Sequence, residues 1–153
     1  MESTEQIKSI SENLILKLEM SKQIFIKASE KVHNEYMKDA FSKLAYVQSD
    51  FQKQIARYID VHVQDLNMNL KDKITVESTK LAMQFDSLLL TRNEKEILGF
   101  VKDQASMLID EYQEALEELE LDKALMAMLA RHKATIEQNY QTLVREYDGY
   151  VYA

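Results

Sequence analysis

The chain contains no proline and only two glycines, Gly99 and Gly149. Reverse turns draw heavily on both residue types, so a β-rich domain with many short strands is poorly served by this composition. Long helices with few connections need neither. Hydrophobic residues make up 46% of the 153 positions and charged residues 29%, a mixture that suits amphipathic helices. The expected fold class is therefore all-α. A chain of this length buries roughly two-thirds of the surface it exposes when unfolded. Residues 1–153 are accordingly read as one domain that needs no covalent staple.

Composition also removes several functional classes. Cysteine is absent, so disulfides and thiolate metal sites are excluded. The net charge is −7, and Lys and Arg are scattered among Asp and Glu. A nucleic-acid binder needs a basic stripe to displace counterions, and none is visible. The same acidity disfavours anionic membrane surfaces. The longest apolar runs are Ile24-Phe25-Ile26, Leu88-Leu89-Leu90 and Leu125 to Ala130. They fall well short of the roughly 18 residues that span a bilayer. The opening MESTEQIKSI has acids and no apolar core, unlike a secretory signal. The expected location is the cytoplasm, and the expected partners are proteins rather than nucleic acid or membrane.

The hydrophobic spacing divides the chain into four long helices. The first runs from Ser3 to Val32, with Ile7, Ile10, Leu14, Leu18, Phe25, Ala28 and Val32 in a stripe whose gap holds Ser21. Asn34 reads as the N-cap of a second helix, Glu35 to His62, with the stripe Met37, Phe41, Leu44, Phe51, Ile55, Tyr58 and Gln48 in its gap. So short a connection predicts an antiparallel hairpin. Residues 63–76 read as a connection, followed by a short helix over Glu77–Leu90. Asn93 with Glu96 three residues later has the form of a capping box. It opens a third long helix ending near Leu119, striped by Ile97, Val101, Leu108, Ala115 and Leu119 around Gln104. Asp122 caps the fourth, whose stripe is Leu125, Leu129, Ile136, Leu143 and Tyr147 with His132 in line. Gly149 falls where a C-terminal capping glycine belongs. The architecture expected is two antiparallel hairpins joined by a long crossover containing a short fifth helix.

A bundle of that plan invites comparison with di-metal carboxylate proteins. These need a Glu from each of two helices and Glu-x-x-His from each of the other two, all pointing inward. One Glu-x-x-His exists, Glu30 with His33, at the end of the first helix. Ile59 and Leu129 stand three residues before His62 and His132, so no second copy exists. Glu30 and His33 read as an exposed helix-end pair and as the weaker metal candidate. The inward stripes carry Ser21, Gln48, Gln104 and His132, one from each helix, and turn counting sets all four near mid-bundle. They form either a polar core layer that fixes register or a vestigial ligand site; without carboxylates they cannot neutralise a divalent ion. The acids Asp110, Glu111, Glu114, Glu117, Glu118 and Glu120 cover more than one helix face and read as solvated surface. No nucleophile elbow and no Gly-rich phosphate loop is present. Met126, Met128 and the terminal Tyr147, Tyr150 and Tyr152 read either as an interface or as end-of-bundle packing.

The segments Phe25–Val32 (FIKASEKV), Asn34–Phe41 with Leu44, Ala45 and Phe51, Ile97-Leu98, Tyr112–Leu116, and the stretch from Arg131 carry a resemblance. The chain resembles the bacterial ferritin-like family catalogued as domain of unknown function 2383. The resemblance implies a ferritin-like four-helix bundle in a family without an established activity. It also implies acids near the positions held here by Gln23 and Ala105, and an acid and a His where this chain has Thr135 and Tyr140. These departures argue against an inherited metal site. The expectation is a non-enzymatic bundle with no cofactor, acting as a homo-oligomer or on a protein partner, with stress response as one setting. The alternatives are a ferritin-like metal-binding or oxidase protein with a reduced site, and a small-ligand binder using the core or the crossover helix.

Overall fold

The computed structural model describes residues 4–60, 68–120 and 122–151, and side chains outside 68–78 and 150–151. Among the described residues there are five helices and no strand. They are α1 (Thr4–Lys31), α2 (Glu35–Tyr58), α3 (Met68–Leu90), α4 (Glu94–Glu118) and α5 (Lys123–Val151). No helix among them is long and apolar enough to cross a membrane.

Local chemistry sets most helix starts. The Asn34 Oδ1 accepts the Met37 N–H at 3.2 Å, Asn93 Oδ1 accepts the Glu96 N–H at 3.2 Å, and Asp122 Oδ1 accepts the Leu125 N–H at 3.0 Å. Each satisfies one of the orphan donors of a first turn. The reciprocal half of the capping box at Asn93 is replaced, because the Asn93 N–H donates to Thr91 Oγ1 at 3.2 Å rather than to Glu96. Helix ends show what the lack of glycine costs. Asp60 and Arg92 take left-handed backbone at φ 53° and 55°, where glycine would be unstrained.

Three boundaries differ from the sequence expectation. The second helix ends at Tyr58 rather than His62, and residues 61–67 lie outside the described residues. The fifth helix is not short. It starts at Met68 and runs for 23 residues. Leu70, Ile74, Leu81, Phe85 and Leu88 keep a helical period across this stretch, and that period outweighs the weak propensities of Asn69, Thr75 and Val76. Gly149 is not a cap: α5 continues to Val151, and Gly149 has no positive φ. The expected contacts of Tyr150 and Tyr152 lie outside the described side chains.

The cross-helix contacts define the packing. α1 and α2 are antiparallel, since Ile15 lies beside Gln52 and Phe25 beside Phe41. α4 and α5 are antiparallel, since Tyr112 meets His132 and Gly99 faces Tyr147. α1 also runs antiparallel to α4, because Lys17 meets Glu111 while His33 meets Glu94. Phe51 and Tyr58 of α2 meet His132 and Asp122, which makes α2 and α5 antiparallel. It follows that α2 and α4 point the same way, so their connection must travel the length of the molecule. α3 makes that journey along α1 and α4, held by Lys27–Asp86 at 3.2 Å and by Phe85 stacked on Phe100 at 4.8 Å.

The core falls into two clusters. One gathers Leu14, Leu18, Phe51, Ile55, Leu108, Tyr112, Leu119, Leu125 and Leu129. The other gathers Phe25, Ala28, Met37, Phe41, Phe85, Leu98, Val101 and Leu143. Met126 and Met128 are half-buried against the first cluster, so their apolar surface is largely used within the fold.

Candidate functional site

The four residues expected as one polar layer do not assemble as one. Ser21 and Gln48 lie where expected, buried between the two clusters on α1 and α2. Ser21 Oγ and Gln48 Oε1 are both buried without a hydrogen-bond partner. Gln104 is only half-buried, and its Nε2 meets Met107 Sδ at 3.8 Å. The inward position of α4 at this level is filled by Ala105, which is 2% exposed. The spacing Val101, Ala105, Leu108 keeps the four–three alternation just as well as one through Gln104, and the smaller, apolar residue takes the buried place. Ser21 and Gln104 do come together, in the wall of a pocket between α1, α3 and α4.

His132 belongs to a different constellation inside the first cluster. It is 2% exposed, and its ring stacks on Phe51 with centroids 3.9 Å apart. Nε2 lies 2.8 Å from Gln54 Oε1, and Nδ1 lies 3.1 Å from Tyr112 Oη. A carbonyl oxygen can only accept, so Nε2 carries the proton and Nδ1 accepts from the Tyr112 hydroxyl. Gln54 Nε2 then donates to Asp50 Oδ2 at 2.7 Å. The result is a directed chain from a buried phenol, through a neutral imidazole and an amide, to a half-buried carboxylate. It ties α4, α5 and α2 together.

The electrostatics agree with this direction. Burial pushes His132 down to about 4, with Arg131 lowering it further and Asp50 opposing. Burial pushes the Tyr112 hydroxyl well above its ordinary value. Both groups are therefore neutral at physiological pH, and the basic nitrogen of His132 is already occupied. The arrangement suits register and rigidity more than proton transfer to a substrate.

A second polar junction lies between α1 and α2. Gln52 is 4% exposed, and its Nε2 donates to the Ile15 carbonyl at 2.9 Å and to Glu19 Oε2 at 3.0 Å. Burial raises the Glu19 pKa, but hydrogen bonds from Lys22, Gln23 and Gln52 outweigh it and hold the carboxyl below its ordinary range. The sequence patterns single out neither Gln52 nor Gln54, and they mark Tyr112 only as part of a packing segment. Gln52 stands one turn after Gln48 on the same face, a spacing that marks it as a second inward amide.

Glu30 and His33 are exposed at the end of α1. The His33 backbone N–H donates to Glu94 Oε1 at 2.8 Å, and the Asn34 N–H reaches the same oxygen at 3.3 Å. Glu94 therefore pins the α1–α2 turn to the start of α4. Among the described residues, no group of three or more His, Asp or Glu side chains is placed to hold a metal ion. No family model, curated protein or solved structure matches the chain.

Proposed function

We propose that the protein is a non-enzymatic, ferritin-like bundle that works through protein contacts, with itself or with a protein partner, and without a di-metal site. The observation that carries this reading is the mid-molecule position of α1 and α2. A ferritin-type site places inward carboxylates there. This chain places Ser21 and Gln48 there, both buried. The connectivity supports the ferritin-like part of the reading, because two antiparallel pairs joined by one long crossover is the plan of such folds. The contact role draws on α3, where Met83 and Leu90 are 65% and 84% exposed seven residues apart on one side of the helix. The rival metal-binding reading shares the fold and draws on Glu30, His33 and His132; the first two are exposed at a helix end, and both ring nitrogens of His132 are already hydrogen-bonded.

Elemental analysis of protein purified without a chelating tag, combined with light scattering of the same sample, tests the proposal. It expects metal far below one ion per chain, together with either a defined homo-oligomer or a monomer that captures a discrete protein. About two Fe, Mn or Zn ions per chain would sink it.

A further inference from the structure

The pocket between α1, α3 and α4 goes beyond that contact role. We infer that it binds a small, uncharged, mostly apolar molecule carrying one hydrogen-bonding group. Its volume is about 260 Å³, close to the low end of the usual range for ligand pockets. Met20, Leu81, Met107 and Leu108 supply apolar walls from all three helices. Two of these are methionines, whose flexible thioethers adapt to varied shapes. Met107 stands 58% exposed and leaves the pocket reachable from solvent.

Two polar groups in the wall are poorly served by the protein itself. Ser21 is 3% exposed, and its Oγ has no hydrogen-bond partner. Burying a hydroxyl in that state is unfavourable, and a turn of the Ser21 rotamer into the pocket would let an oxygen-bearing guest relieve it. Gln104 Nε2 faces only a thioether sulfur at 3.8 Å, a weak acceptor that a guest oxygen would readily replace. Among the described lining groups, two are charged. Lys17 Nζ and Glu111 Oε1 pair at 3.8 Å, and Glu111 Oε2 also accepts from Asn13 at 3.3 Å. An ionic guest would set one member of this pair against the other. An alcohol, ketone or phenol with a short aliphatic body fits these walls. Because α3 forms one wall through Leu81, the guest would also fasten the crossover helix to α1 and α4.

The test uses the full chain with ¹³C-methyl methionines, titrated with 1-octanol and separately with octanoate. The Met20 and Met107 methyls should shift saturably, while Met37, buried in the other cluster beside Phe41, stays fixed. Octanol should bind about tenfold or more tightly than octanoate. Met107→Trp fills the mouth from an exposed position, so it threatens folding little; it should weaken octanol binding at least about tenfold. Ser21→Ala should weaken it roughly two- to tenfold, the worth of one neutral hydrogen bond. Non-saturating shifts, equal or better binding of octanoate, or full octanol affinity in either variant would overturn the inference.

Discussion

The two halves of the core solve the same packing problem differently. Around Phe25, Phe41 and Phe85 the interior is built from apolar side chains, with the Phe25 and Phe41 rings 6.0 Å apart and tilted. Around Tyr112 and His132 the interior has the same kind of aliphatic lining, yet a phenol, an imidazole and an amide run through it in one hydrogen-bonded line. The apolar half gains its stability from removed surface, which tolerates small rotations of a helix. The polar half depends on donors meeting acceptors, and it tolerates very little rotation or slippage. It also couples the fold to pH through His132.

The largest expected effect separates the halves by truncation. Phe41→Ala should cost about 3–5 kcal/mol through transfer and cavity terms, measured by denaturant unfolding. That loss should be the same at pH 7 and pH 5, because no titratable group is disturbed. The polar half should show the opposite behaviour. His132 has a folded pKa of about 4 against an ordinary 6.5, so the unfolded chain binds more protons between those values. Its contribution is complete above pH 6.5 and is lost as pH falls through the folded pKa near 4, removing roughly 2–3 kcal/mol. His132→Gln should flatten that slope, whatever it does to stability at neutral pH. The slope left in the variant below pH 4.5 belongs to carboxylates such as Glu19, whose folded pKa is depressed and whose support disappears on further acidification.

A smaller effect probes the chain's direction. Tyr112→Phe keeps the ring but leaves His132 Nδ1 buried without a donor, and should cost about 1–2 kcal/mol in the same unfolding assay. It should also shrink the stability lost between pH 6.5 and 4, because the freed nitrogen is easier to protonate and the folded pKa moves toward the unfolded value. The smallest effect lies in the apolar half. A Cβ on Gly99 would meet Tyr147 Cε2 at 3.1 Å, tight but against a half-exposed ring. Gly99→Ala gains helix propensity of about 1 kcal/mol and loses part of it to that contact, so the change in thermal midpoint should correspond to less than about 0.5 kcal/mol.

Legibility followed the range of the interactions. Asn34, Asn93 and Asp122 were readable as caps because capping is settled within one turn. The stripes of α1 and α2 were readable because a single three–four spacing carries them. For Gln104 two registers fit the same spacing, and only the neighbouring helices decide that Ala105 turns inward. The fourfold layer failed for the same reason, since counting turns does not say at what level two helices meet. The constellation of Gln54, Tyr112 and His132 joins three helices and lies beyond any local signal. Weak helix formers mask the period that carries α3 back to Met68.

A neutral, directed His132 organises one half of the core. A ¹⁵N-edited NMR titration of the histidine side chains reads it directly. His132 is expected as the Nε2–H tautomer at neutral pH, with no protonation until the pH nears 4. An Nδ1–H tautomer, or a midpoint near the ordinary 6.5, would contradict it.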